Sequence, residues 1–170
     1  MAKETTPQQS VEHKNREIKI IREVNNQAEL FYEDAVKIGD HAAYALGRSH
    51  RSQLTGLENV ADSALKITDI FDYIKRQTAR YNYWRKDFQE QSNVAFGERL
   101  RSYLENDLAK VRDTTCDVYL KIGNASDEEK QLRRRVYLLL VLQFIGQMVI
   151  EYEYRVNADE SGGKNGAGRR

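Results

Sequence analysis

The sequence is poor in residues that interrupt helices. Its one proline, Pro7, lies close to the start, so no later position forces a helix to break. Ten glycines occur, and several of them crowd into the polar C-terminal stretch, residues 162–168. The chain between these two ends can therefore form long helices.

Cysteine and net charge are also scarce. The lone cysteine, Cys116, cannot form an internal disulfide, which favours a reducing compartment. Residues 1–6 lack the apolar core of a secretion signal, so we expect a cytoplasmic protein. The formal net charge of +1 does not indicate a nucleic-acid or membrane binder. A nucleic-acid partner therefore has to be held by a local basic patch.

Apolar residues recur alternately every three and four positions along three segments, which is the spacing of one stripe on a helix. The first stripe is Ile21, Val24, Ala28, Phe31, Ala35, Ile38, Ala42 and Ala45. The second is Leu57, Val60, Ala64, Ile67, Phe71, Ile74, Thr78 and Tyr81. The third is Leu104, Leu108, Val111, Thr115, Val118 and Ile122. Each stripe predicts one long helix.

The helix ends carry their own signals. We predict helices over 7–46, from residue 52 or 55 to about 88, over 97–122, and over 127–157, with Gly47 and Gly123 as stops. Ser126 and Glu129 have the spacing of a capping box, as do Thr55 and Glu58. The prediction is an all-α protein with one domain, residues 1–157, forming an up-down-up-down bundle of about four long helices. Residues 158–170 are expected to form a disordered polar tail.

The fourth predicted helix is unusually apolar. Residues 136–142 are apolar on every side, whereas a helix of a simple bundle needs only one apolar stripe. Either this helix is central to the bundle, or one side of it contacts another protein. The second alternative predicts a protein interface at Leu138, Val141, Leu142, Ile145 and Val149. A membrane span is not expected, because the run covers about 15 residues against roughly 20 needed.

No residue pattern predicts catalysis, a metal or a cofactor. The Glu-x-x-His spacing of metal-binding helical bundles is absent, because Ser10, Ile38 and Gly47 stand three residues before the histidines. No glycine loop for phosphate is present, and no small-molecule substrate is expected. Cys116 follows position Thr115 of the third stripe, which predicts a buried or half-buried thiol rather than a nucleophile.

One region mixes basic and aromatic residues. Its candidate nucleic-acid ligands are Lys75, Arg76, Arg80, Trp84, Arg85, Lys86, Arg99 and Arg101. Arg76, Arg80 and Trp84 recur every four residues and so share one helix face. In an up-down bundle the cations at residues 14–22 would lie at the same end. Arginines beside aromatics suit phosphates and unstacked bases, although an ordinary salt-bridged surface remains the alternative.

Arg51-Ser52-Gln53-Leu54-Thr55-Gly56-Leu57 resembles the Ser-(Lys/Gln)-Leu-x-x-Leu opening of a helix in the small helical subunits of type III CRISPR effector complexes. The resemblance implies an antiviral defence role, with several copies stacked along a guide–target RNA duplex and no chemistry of their own. It supports a non-catalytic accessory subunit that contacts nucleic acid, RNA more than DNA, and other protein subunits. The alternative is a homo-oligomeric scaffold or adaptor that binds no nucleic acid.

Overall fold

The computed structural model describes residues 7–162, and this part of the chain is all-helical, as predicted. The predicted count of four helices is not confirmed, because there are six. The helices are α1 (Pro7–Leu30), α2 (Tyr32–Leu46), α3 (Arg51–Ser63), α4 (Ile67–Arg80), α5 (residues 96–120, with two π-helical turns) and α6 (Asp127–Gly162). Single turns of 3-10 helix, Arg48–His50 and Asn82–Arg85, flank the α3–α4 pair.

Two breaks raise the helix count. The first is slight: the helix bends at Phe31, whose carbonyl still accepts a hydrogen bond from the Ala35 amide at 3.0 Å. The second is complete, because Ala64 and Lys66 adopt extended conformations with ψ of 127° and 138°. The apolar stripe continues through Ala64 and Ile67 without a change in spacing. It therefore carries no sign that the chain reverses here.

This extra reversal changes which helices share an end. Asn25 contacts Gln143, and Asp40 pairs with Arg155, so α1 and α2 run parallel to α6. Arg16 reaches Glu128 at 2.7 Å, at the first turn of α6. The prediction that the cations of residues 14–22 lie beside the end of α4 is therefore wrong, and they lie at the opposite end of the molecule.

Helix α6 is central, since it contacts α1, α2, α3 and α5. Its buried residues are Val136, Tyr137, Leu140, Val141, Phe144, Ile145, Met148, Val149 and Tyr152. By length and composition the stretch Asp127–Ala158 could also cross a membrane, and half of its most apolar window is buried inside the fold. Core helices of soluble proteins pass the same test of length and composition.

Several predicted helix ends are confirmed and others shift. Gly47 follows the last residue of α2 with a positive φ of 54°. The Ser126 hydroxyl accepts the Glu129 amide at 3.1 Å while the Glu129 carboxylate accepts the Ser126 amide at 2.9 Å, a reciprocal capping box. Thr55 is no cap, because α3 already begins at Arg51. Helix α6 continues to Gly162, past the predicted end at 157, and the rest of the predicted tail lies outside the described residues.

Candidate nucleic-acid interface

The last two turns of α4 present three of the predicted ligands to solvent. Lys75, Arg76 and Arg80 are exposed. Lys75 pairs with Asp72 at 3.8 Å, a common surface pair along one helix. Within residues 7–162, Arg76 and Arg80 have no hydrogen bond or ion pair to another side chain. These two guanidinium groups, four residues apart on one face, are available to an anion.

Trp84 does not belong to this surface. It is 0% exposed, and its ring packs against Phe96 with a centroid distance of 5.1 Å. The four-residue spacing from Arg80 predicted a shared face, but α4 ends at Arg80 and the chain enters a 3-10 turn. The turn directs the indole into the core, so Trp84 cannot stack on a base.

Arg85 is used inside the fold. Its guanidinium donates to the carbonyls of Thr78 at 2.9 Å and Ala79 at 2.8 Å, and it also contacts the Asn82 side chain. The last carbonyls of a helix have no partner within the helix, so Arg85 caps the C-terminus of α4. Its predicted role as a nucleic-acid ligand competes with this structural role.

The remaining three predicted cations differ from one another in their exposure and in their partners. Lys86 has an exposed side chain. Arg101 is half-buried between Glu98 at 2.8 Å and Glu105 at 3.1 Å, which neutralise it. Arg99 is half-buried and lies 3.3 Å from His41 Nδ1 and 3.2 Å from the Gln91 amide oxygen. Of the eight predicted ligands, Arg76, Arg80 and Lys86 are thus the exposed cations whose side chains have neither a hydrogen bond nor an ion pair within residues 7–162.

Three stacked rings supply the aromatic surface that Trp84 does not. Tyr83 stacks on His50 with a centroid distance of 3.8 Å and on Tyr81 with a centroid distance of 5.1 Å. The rings are within 14° of parallel, and all three residues are half-buried. Burial, with Tyr81 nearby, raises the pKa of Tyr83. We call Tyr81, Tyr83 and His50 the aromatic stack.

The sequence pointed to only part of this stack. Tyr81 and Tyr83 lie within the basic and aromatic region that the sequence indicates, whereas His50 lies 31 residues before Tyr81 in the chain. It reaches Tyr83 because α3 and α4 form an antiparallel hairpin, in which the Tyr73 hydroxyl donates to the Gln53 carbonyl at 3.0 Å. No local sequence pattern predicts a contact between two connections that lie so far apart along the chain.

His41 fixes the loop that follows α4. It is fully buried in α2, between Phe88 and Phe96, and its Nε2 lies 3.0 Å from the Lys86 carbonyl oxygen. Because Arg99 can only donate to Nδ1, this network assigns the proton to Nε2 of a neutral ring. Burial, and then the Arg99 charge, lower the pKa of His41 despite the Lys86 carbonyl and nearby Asp87 and Asp40.

This arrangement predicts a pH-dependent stability. Because the pKa of His41 is lowered in the folded state, the unfolded chain takes up a proton near pH 6.5 that the folded chain excludes. The free energy of unfolding should fall as pH drops below about 6.5, by up to about 1.4 kcal/mol per pH unit. Urea unfolding of the wild type and of His41→Gln between pH 7.5 and 5.0 measures how the free energy of unfolding changes with pH. Exposed His13→Gln is the control, and an unchanged slope in His41→Gln would contradict the assignment.

The predicted protein interface on α6 is divided by the fold. Val141, Ile145 and Val149 are at most 5% exposed and belong to the chain's own core, so they offer nothing to a partner in this fold. Leu138 and Leu142 are half-buried and face outward in part. Ile150 and Tyr154, further along the same helix, are 70% and 65% exposed.

Among the described residues no cluster of three or more histidine, cysteine, aspartate or glutamate side chains could hold a metal ion. Cys116 is buried, as predicted, and burial raises the pKa of its thiol.

The chain matches no known family model, no curated protein and no solved structure. Its function must therefore be inferred from its own surfaces.

Proposed function

We propose that this protein is a non-catalytic accessory subunit of a nucleoprotein complex and binds single-stranded nucleic acid at the end of α4. The observation that carries the proposal is the pairing of two kinds of group. Exposed Arg76 and Arg80 have no acidic partner within residues 7–162, and two rings of the half-buried aromatic stack, Tyr81 and Tyr83, come directly after Arg80 in the chain. Such a pairing suits phosphates and unstacked bases together.

The surroundings support the same choice of surface. Arg85 and His41 hold the loop that carries Tyr81 and Tyr83, so these two rings are positioned before any ligand arrives. Preorganised groups lose little conformational freedom on binding. RNA is favoured over DNA by the resemblance of residues 51–57 to CRISPR small subunits. However, Leu54 and Leu57 of that segment are 1% and 0% exposed, so this part of the resemblance describes packing.

Charge reversal tests the arginines. We expect the double variant Arg76→Glu and Arg80→Glu to weaken binding of a fluorescein-labelled 20-nucleotide oligouridine about tenfold or more at low salt. The slope of log affinity against log salt should also become shallower by about 0.7 for each lost phosphate contact. Fluorescence anisotropy at several salt concentrations measures both quantities.

Two further variants separate a site from general electrostatics. Lys37→Glu with Lys110→Glu changes the net charge equally at exposed, acid-paired positions and should bind as wild type does. Tyr83→Ala should weaken binding by about tenfold while leaving the salt slope unchanged, because stacking releases no counterions. Equal binding by Arg76→Glu/Arg80→Glu and the control pair would exclude the proposed surface.

A second candidate is a homo-oligomeric scaffold or adaptor without nucleic-acid binding. It is favoured by the exposed Ile150 and Tyr154 and the half-buried Leu138 and Leu142 on α6. Apolar side chains left exposed along a helix can be covered by a protein partner. Light scattering on the purified protein distinguishes the two: a stable oligomer that does not bind the oligouridine favours the scaffold.

A further inference from the structure

We propose that a groove beside the α3–α4 turn docks an acidic segment of a partner protein that inserts an aliphatic or aromatic side chain. We call it the corner groove. Leu65, Ile67 and Leu138 form its apolar part, and Lys66, Arg134 and Arg135 form its charged part. The cavity has a volume of about 640 Å³. The inference rests on the partner-binding half of the function proposed above and names the chemistry of that partner.

The apolar part is unusually open. Leu65 is 93% exposed, the highest value among the large apolar residues described as exposed. It stands in the extended turn between α3 and α4, whose backbone holds it away from the core. Ile67 and Leu138 beside it are only half-buried. Apolar surface in a concave site is favourable to cover, and one inserted side chain covers several of these groups at once.

The charges around the groove select the partner. All three charged residues that line it are basic, and no carboxylate lines it. Arg135 pairs with Glu17 at 2.7 Å, but Lys66 and Arg134 have no acidic partner in the described part of the chain. A segment that brings aspartate or glutamate completes these ion pairs, whereas a basic segment meets like charges.

Two other occupants fit less well. A second copy docked by two-fold symmetry would place the same cations opposite each other. A nucleic acid would satisfy the cations, but the ring that lines the groove, Tyr137, is 6% exposed and has the Arg112 guanidinium 4.8 Å from its centroid, so it offers no open face for a base to stack on. The apolar part and the basic charged part of the corner groove together therefore favour an acidic protein segment.

A randomised library of displayed 12-residue peptides, selected against the wild-type chain, tests the proposal. We expect the enriched peptides to combine aspartate or glutamate with leucine, isoleucine or phenylalanine. The most enriched peptide, synthesised with fluorescein, should lose about tenfold or more in affinity for Leu65→Ser and for Arg134→Glu. Leu65→Ser should stay folded because its side chain is already in solvent, and Leu30→Ser, at a 72% exposed leucine of α1, should bind as wild type does.

Several outcomes would overturn the proposal. They are no enrichment, enrichment of basic peptides, or equal binding to wild type and Leu65→Ser. Displacement of the peptide by oligouridine that depends on Arg134 would assign the groove to nucleic acid. Loss of an oligomer in Leu65→Ser would assign it to a second copy. The Arg76→Glu/Arg80→Glu variant should bind the peptide normally, so failure of the nucleic-acid site leaves this test intact.

Discussion

Replacing Trp84 by alanine is expected to lower the free energy of unfolding by about 3–5 kcal/mol. The indole is 0% exposed and packs against Phe96, so alanine leaves a cavity that the surrounding helices fill only in part. The position also joins α4 to α5, since Trp84 lies against Gly97 as well. Because Trp84 is the one tryptophan of the chain, the unfolding should be followed by circular dichroism rather than fluorescence.

A matched variant separates packing from binding. Arg80→Ala removes an exposed side chain four residues earlier and should change stability by less than about 0.5 kcal/mol. It should instead weaken oligouridine binding. Trp84→Phe, which keeps most of the buried surface, should recover much of the lost stability. If Trp84→Ala left stability within about 0.5 kcal/mol of wild type and abolished binding, the indole would be a surface ligand after all.

The second large effect is expected at Gly39, where α2 packs closely against α6. A Cβ atom there would lie 2.5 Å from the Met148 carbonyl oxygen and 2.8 Å from the Glu151 Cβ. The carbonyl belongs to the backbone of the central helix, so relief requires the two helices to separate. We expect Gly39→Ala to destabilise the protein by about 1–3 kcal/mol despite the better helix propensity of alanine.

Gly146→Ala, on the facing helix, is the control. A Cβ at Gly146 has nothing within 4 Å, so the substitution should stabilise the protein by about 0.5–1 kcal/mol. The two variants should therefore move the urea midpoint in opposite directions. Shifts of the same sign would mean that α2 and α6 do not pack as closely as Gly39 indicates.

Local patterns in the sequence determined much of the helical structure. The three-four spacing identified the buried positions of the first helix pair from Val24 to Ala45, since each is at most 5% exposed. It failed at its first position, where Ile20 is buried and Ile21 is 47% exposed. The Ser126–Glu129 capping box and the stop at Gly47 were also predicted, because each depends on residues only a few positions apart.

The candidate site was decided by the tertiary structure. The reversal at residues 64–66 carries no mark in the apolar spacing, yet it sets which helix ends meet and so moves the cations of residues 14–22 away from Arg76 and Arg80. Whether an arginine is available depends on carbonyls and carboxylates brought near it by the fold, as for Arg85. A sequence shows which side chains carry a charge or a ring. Only the packing of the helices decides whether those groups are buried or bonded within the fold, or remain exposed to a partner.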